Sequence, residues 1–266
     1  MSGADRILKA VFALYLAIFA LYLLAPLGIM GAAAFNQSRF PTVIPWQGTT
    51  LDWFAAMWAD AAMWRAFGVS VAVAAAVVAV AVPVGTAAAL VLTSLNARAR
   101  STAYALMVSP LLMPGVVIGI ATLILWRQLG VGGGIFLIVV AQSSFIICYV
   151  MLMVTARLQR FDRTQEEAAL GLGASRLMVF RRVLLPFLRP AIVASAVLAA
   201  LQSFENYNTT LFVRGFETPL TVFIATKVRT GLTPAVNALA LILIAAAILG
   251  AVAYEVARRR REGAQG

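Results

Sequence analysis

Groups that enzymes use most often are scarce in this sequence. Its 266 residues contain no histidine, one cysteine and only 12% charged residues. The lack of histidine removes the commonest metal ligand and general base, so neither a metal site nor an acid–base catalytic site is predicted. The lone Cys148 excludes an intrachain disulfide.

A phosphate-binding P-loop is also missing. Such a loop needs the pattern G-x-x-x-x-G-K-[ST], in which a lysine reaches the phosphates. The only two lysines, Lys9 and Lys227, do not follow such a pattern. No cofactor is therefore expected in this chain, and any ATP hydrolysis is expected in a separate subunit.

Hydrophobic residues are abundant: they make up 62% of the chain, and the mean hydropathy is +0.93. A helix needs about 20 apolar residues to cross a bilayer. Six runs meet that requirement, at about 11–34, 68–94, 102–126, 135–156, 191–213 and 236–256. The sequence predicts an all-α polytopic membrane protein with six transmembrane helices in one transmembrane domain, 1–266.

The basic residues predict the orientation. Fifteen of the 21 lysines and arginines fall on one side of the six runs, among them Arg6 and Arg258 to Arg261. Cytoplasmic loops carry such an excess, which explains the net charge of +11 without nucleic acid. Both termini and the loop at about 157–190 are predicted to be cytoplasmic.

Two longer segments lie on the opposite side. Residues 35–66 carry four tryptophans, and Leu51, Phe54 and Trp58 recur at helical spacing. This pattern indicates an interfacial amphipathic helix, which could also help to form a docking surface. Residues 214–234 have an apolar centre too short for a span, so a re-entrant or scoop-like loop is predicted.

The 157–190 loop has recognisable helix signals. Thr164 and Glu167 have the T-x-x-E spacing of a capping box, and the glycines at 171 and 173 predict the end of a short helix. Ser175 is expected to cap a second helix that ends at Pro186.

Within this loop, Glu167 to Gly173 and Val183 to Pro186 form the pattern E-A-A-x-x-x-G-x9-V-x-L-P. The pattern resembles the coupling-loop signature of bacterial ABC importer permeases, with Val183 in place of the usual isoleucine. In that family the loop seats in the ATP-hydrolysing subunit. The resemblance implies these coupling contacts: Glu167, Ala168, Ala169, Gly171, Gly173, Ala174, Leu185 and Pro186.

Two further runs, 109–117 and 233–239, resemble the spermidine/putrescine-type branch of that family. The branch implies a multi-pass protein of the bacterial inner membrane, embedded in the lipid bilayer. Implied partners are a second permease, favoured as a paralogue, an ATP-binding subunit dimer that holds ATP and Mg, and an extracytoplasmic solute-binding protein. A nucleic-acid partner is not expected.

Polar residues at membrane depth predict the substrate pathway, because each is costly there unless it faces water, protein or ligand. Ser195, Gln202, Glu205, Asn206 and Thr209 of the fifth run share one helical face. Asn208 lies at the edge of that face. The alternative is that Glu205 is paired internally with Arg214.

The third and fourth runs carry weaker signals. Pro110 and Pro114 predict a helix hinge, although prolines are also tolerated in membrane helices without a role. Gln142 and Ser143 could line the pathway or could form interhelical hydrogen bonds.

Glu205 is the only acidic residue well inside any of the six runs, which favours a cationic, polyamine-like solute. An amino-acid derivative, a phosphonate or a sugar is the alternative within the same class. A stand-alone secondary transporter or a membrane enzyme is less favoured, because neither an internal repeat nor a catalytic cluster is present.

Overall fold

Helices account for almost all of the regular structure. The computed structural model describes residues 3–231 and 233–263, and within these ranges the only β-type pairing is one isolated bridge, Asn36 to Thr49. The helices are α1 Gly3–Ala33, α2 Asp52–Ala59, α3 Ala61–Ser94, α4 Ala97–Val108, α5 Gly115–Gln128, α6 Ile135–Leu158, α7 Thr164–Gly171, α8 Arg176–Val179, α9 Leu185–Phe204, α10 Thr210–Val213, α11 Leu220–Thr230 and α12 Pro234–Gly263. A 3₁₀ turn, Ser109–Leu112, follows α4, and a π-helical turn, Phe180–Leu184, joins α8 to α9.

Four of the described helical stretches are long and apolar enough to cross a membrane: Ile7–Ala33, Ala61–Ser94, Ile135–Leu158 and Arg176–Phe204. A fifth is possible if α4 and α5 form one broken span, and α12 contributes a shorter apolar stretch, Pro234–Gly250. The all-helical membrane fold is confirmed. The number of six spans and the side on which each terminus lies remain predictions. The side chains of Arg6, Glu255 and Arg258 to Arg261 lie outside the described residues.

The expected hinge in the third run is a complete break. The chain turns by 101° between Ala97–Leu112 and Gly115–Gln128. Pro114 has an extended ψ of 134° and is the N-cap of α5. At this position the backbone N–H that proline lacks is not needed for a hydrogen bond within the helix. Pro110 lies in the preceding 3₁₀ turn.

The fifth run departs most from expectation. It begins earlier, at Arg176, and α9 ends at Phe204. Glu205 is the C-cap, and the next four residues are not helical before α10 begins at Thr210. The prediction of one continuous helical face from Ser195 to Thr209 is therefore wrong, because the helix is interrupted at its most polar stretch.

Internal contacts divide the chain into two compact units, Met1–Trp64 with Ile224–Gly266, and Arg65–Phe223. The prediction of a single transmembrane domain is not tested by this division. In the second unit, α6 packs against α9, α5 and α10. Its core includes Val77 of α3, Ile146 of α6, Leu188 of α9 and Val213 of α10.

In the first unit, α12 contacts both α1 and α2. The buried Asn36 organises the segment that precedes α2: its Oδ1 accepts from the N–H of Gln47 at 2.9 Å, and its Nδ2 donates to the carbonyls of Thr42 and Pro45. The predicted helix in 35–66 is present as α2, with Met57 buried and Trp58 exposed. In the 214–234 segment, the apolar centre forms the start of α11.

Candidate transport cavity and coupling loop

The start of α7 differs from the predicted capping box. Thr164 is the first helical residue and not the N-cap, and its backbone N–H donates to Oδ1 of Asp162 at 3.0 Å. This N–H, with a smaller contribution from the Thr164 hydroxyl, holds the pKa of Asp162 below its ordinary value. The Asp162 carboxylate thus accepts from the Thr164 N–H, which a capping box would pair with the Glu167 side chain.

The end of α7 agrees with prediction. Gly173 has φ +87°, its N–H donates to the Leu170 carbonyl at 2.9 Å, and the N–H of Ala174 donates to the Ala169 carbonyl at 3.1 Å. These two bonds define a Schellman motif with glycine at the left-handed position. Ser175 then caps α8, accepting from the N–H of Met178 at 3.3 Å.

Pro186 does not end the second helix, contrary to expectation. The N–H of Leu185 reaches the Phe180 carbonyl in an i→i−5 bond, so the chain passes through a π turn into α9. Pro186 lies in the first turn of α9, where proline is tolerated. Helical structure therefore runs from Arg176 to Phe204.

Most of the motif residues are accessible. Glu167, Ala168, Gly171, Gly173, Leu185 and Pro186 are exposed, and Ala169 and Ala174 are half-buried. Leu172, between the two glycines, is 90% exposed. An apolar side chain this accessible, beside a run of small residues, gives the loop a surface suited to a partner.

Two arginines tie the loop to the helices. Arg157 Nε donates to the Phe187 carbonyl at 3.3 Å, and its guanidinium lies 4.2 Å from the Phe187 ring centroid. Arg163 Nη2 donates to the Thr93 carbonyl at the end of α3, also at 3.3 Å. Arg163 thus connects the start of α7 to α3, and Arg157 connects the end of α6 to α9.

A cavity of about 370 Å³ lies where the broken helices meet. Its lining residues are Pro110, Leu111, Met113, Gly115, Ile118, Phe145, Tyr149, Gln202, Glu205, Asn206, Tyr207, Asn208 and Thr209. Gly115 and Gly119 allow α5 to approach the interrupted segment closely: a Cβ at these positions would lie within 2.8 Å of Oγ1 and 2.7 Å of the carbonyl of Thr209, respectively. We call this space the helix-break cavity.

Five of the predicted pathway residues line this cavity: Gln202, Glu205, Asn206, Asn208 and Thr209. Glu205 Oε1 accepts from Gln202 Nε2 at 3.2 Å, whereas Arg214 donates to the Glu217 carbonyl. The alternative pairing of Glu205 with Arg214 is thus not formed. The buried hydroxyl of Thr209 has no hydrogen-bond partner among the described residues.

Three polar residues lie away from the cavity. Gln142 is buried and bonds to Ser203 and Thr210, which is the interhelical alternative for this residue. Ser143 is buried without a partner in the described chain, and the Ser195 hydroxyl donates to the Ile192 carbonyl of its own helix.

Sequence reasoning missed the aromatic wall of the cavity. Phe145, Tyr149 and Tyr207 line it together with Gly115. The spacing of four residues between Phe145 and Tyr149 places them on one face of α6 and could have suggested a shared surface.

Among the described residues, no group of His, Cys, Asp or Glu could hold a metal ion.

The helical fold with its interrupted helices is that of a multi-pass membrane protein. The architecture matches the crystal structure of a bacterial ABC transporter involved in the import of the acidic polysaccharide alginate, with a TM-score of 0.70 and 17% identity over 97% of this chain and 98% of that chain.

Residues 81–263 match the family of binding-protein-dependent transport system inner membrane components, and the chain belongs to that family. It is 36% identical to the putrescine transport system permease protein PotI of Escherichia coli (strain K12), over 91% of this chain and 89% of the relative. It is 31% identical to the spermidine/putrescine transport system permease protein PotC of the same organism, over 92% and 93%. The resemblance inferred from the motif is confirmed: this chain is an ABC importer permease.

Proposed function

We propose that this permease carries a small cationic, polyamine-like solute through the helix-break cavity. The observation that carries the proposal is Glu205, which lies at the helix break with no cationic partner among the described residues. The names of the relatives PotI and PotC, which refer to putrescine and spermidine, support the same solute class.

The remaining lining fits a cation. Its described residues include no lysine or arginine, so the Glu205 charge is not offset locally. The rings of Phe145, Tyr149 and Tyr207 can attract an ammonium group through their π faces. Amides and hydroxyls supply hydrogen bonds that replace part of its hydration.

The permease works within a larger assembly in this proposal. Six spans place both termini and the 157–190 loop in the cytoplasm of a bacterial inner membrane, as the excess of basic residues indicates. The exposed motif of α7 seats in an ATP-binding subunit dimer, which holds ATP and Mg and performs the hydrolysis. A second, paralogous permease completes the pathway, and an extracytoplasmic binding protein delivers the solute.

The experiment replaces Glu205 by glutamine in the reconstituted complex and measures ATP-driven uptake of radiolabelled putrescine. Glutamine keeps the size and the hydrogen bonds but removes the charge. A cation about 4 Å away gains roughly 4 kcal/mol of attraction at an effective dielectric of 20 and roughly 1 kcal/mol in bulk water. Because Glu205 is exposed, we expect a loss towards the lower value, about five- to tenfold in uptake rate.

Glu217→Gln is the matched control. Glu217 lies outside the cavity lining, and its hydrogen bonds involve its backbone: its carbonyl accepts from Arg214 Nη1, and its N–H donates to the Arg214 carbonyl. The control should leave uptake unchanged, and both variants should assemble with the ATPase because the coupling loop is unaltered. Wild-type putrescine uptake by Glu205→Gln would refute a role for this charge, and uptake of only neutral or anionic solutes by the native complex would favour the alternative solutes.

A further inference from the structure

The break between α4 and α5 leaves backbone acceptors without donors. Pro114 has no N–H and therefore cannot donate to the carbonyls of the preceding helical turn. The Pro110 carbonyl accepts instead from the N–H of Met113 at 3.3 Å, whereas the carbonyls of Leu111 and Met113 accept no hydrogen bond from the described residues. These strong acceptors are thus free at the break.

Leu111 and Met113 both line the helix-break cavity. Met113 is 55% exposed, and Leu111 is half-buried. The two broken helices are together apolar enough to form one span. At membrane depth, irregular backbone is tolerated only where it is buried in protein or borders a water-filled space. Because the described residues offer these two carbonyls no donor, their donor must come from the cavity.

The end of α9 contributes a second negative site to the same cavity. α9 ends at Phe204, and its C-cap is the exposed Glu205. The 3₁₀ turn that follows α4 ends at Leu112. Helix C-terminal ends carry a partial negative charge. The cavity therefore has acceptors from both interrupted runs: a carboxylate from the fifth run and backbone carbonyls from the third.

A solute that fits both groups carries hydrogen-bond donors at each end. An ammonium group has up to three N–H donors and no acceptor. A carboxylate is the competing far end, because α5 begins at the same cavity and the N–H groups of Gly115 and Val116 have no acceptor in the described chain. The described lining contains no lysine or arginine, however, and its one carboxylate is Glu205. A second negative charge would therefore be repelled and left unpaired.

We propose that the carbonyls of Leu111 and Met113 bind the second ammonium group of a diamine whose first ammonium group is bound by Glu205. The cavity then selects solutes with two primary ammonium groups over monoamines of the same length. This inference rests on the proposed function, because it takes the helix-break cavity as the solute pathway and Glu205 as a cation site.

The test measures the dissociation constants of amines for the intact importer in nanodiscs of neutral phosphatidylcholine. The binding protein is left out, so that only the permease complex selects the amine. Saturation-transfer NMR titrations compare putrescine with butylamine, which has the same carbon chain and one ammonium group. Because a hydrogen bond to a charged group corresponds to roughly tenfold or more in affinity, the wild type should bind putrescine about tenfold more tightly than butylamine.

Pro114→Ala restores the missing N–H, which allows the helix to continue and to engage these carbonyls. Putrescine affinity should fall about tenfold, to that of butylamine, and butylamine affinity should stay within about twofold of wild type. Pro190→Ala is the matched control, because Pro190 lies inside α9 and outside the cavity lining, and it should change neither affinity. Wild-type affinities in Pro114→Ala would overturn the inference. An equal loss for both amines would also overturn it, as a merely structural effect.

Methylated amines test the same site without a variant. Full methylation keeps each charge but removes every N–H donor, so the bis-quaternary analogue of putrescine should bind the wild type within about twofold of butyltrimethylammonium. A retained tenfold advantage of the bis-quaternary analogue would assign the second site to the aromatic rings and overturn the role of the carbonyls.

The remaining outcomes separate this inference from the proposed function. Equal affinity of the wild type for putrescine and butylamine, or tighter binding of γ-aminobutyrate than of putrescine, would overturn the second ammonium site. The cation site at Glu205 still stands in that case if Glu205→Gln weakens the binding of both amines. If Glu205→Gln changes neither affinity, the proposed cation site fails, and the inference fails with it.

Discussion

Gly173 offers the sharpest test of the coupling loop, because its conformation and its surroundings can be separated. Its φ of +87° is the left-handed position of the Schellman motif that ends α7. No atom lies within 4 Å of the position that a Cβ would occupy at this glycine. Within the chain, a side chain at position 173 would therefore be strained by the backbone alone.

The magnitude follows from that conformation. A left-handed backbone costs an L-residue roughly 1–2 kcal/mol, and asparagine tolerates it better than alanine does. A β-branched valine is the least suited to positive φ. A loss of roughly 1–2 kcal/mol shifts the population of an ordered turn about 5- to 30-fold. Coupled uptake should therefore fall in the order glycine, asparagine, alanine, valine.

The assay is ATP hydrolysis and solute uptake by the reconstituted complex for Gly173→Asn, Gly173→Ala and Gly173→Val. Valine should either release the ATPase or leave hydrolysis without uptake. Gly171→Ala separates contact from conformation, because Gly171 ends α7 without a positive φ and has open space around it, so a methyl group is added to the motif without backbone strain. Asparagine is larger than alanine, so better activity of alanine than asparagine would indicate crowding by the partner and refute the backbone argument. Normal coupled uptake in Gly173→Val would refute the role of this glycine altogether.

Two further predictions concern the outer segments and the start of α7. Photo-crosslinkers at Trp58 and at the fully exposed Phe216 should capture the solute-binding protein, and one at Leu172 should capture the ATPase; the reverse pattern would invert the proposed topology. Because the pKa of Asp162 is lowered in the folded loop, its stabilisation of the α7 start is present above the unfolded pKa and is lost as the pH falls through the folded pKa. Amide-exchange protection at the start of α7, relative to α6, should decrease over that acid range in the wild type but not in Asp162→Asn, whose amide oxygen still accepts; equal behaviour of both proteins would contradict the assignment.

Local sequence signals predicted local structure well. Gly173 and Ser175 mark a helix end and a helix start because their preferences involve neighbouring backbone groups only. Pro110 and Pro114 marked the break for the same reason. Two signals failed. Asp162 accepts from the Thr164 N–H that the capping box would pair with Glu167, and a π turn continues the helical structure past Pro186.

The sequence by itself determined that this is a helical membrane protein, where its coupling motif lies, and that the fifth run is unusually polar. These properties depend on composition and on short spacings. Only the tertiary structure decided that the run is interrupted after Phe204 and that Glu205 and Asn206 line a cavity with Tyr149. It also decided that Gln142 forms hydrogen bonds to Ser203 and Thr210 and does not line that cavity. Contacts between residues more than 60 positions apart cannot be read from helical periodicity, because the partner that satisfies a buried polar group is chosen by packing.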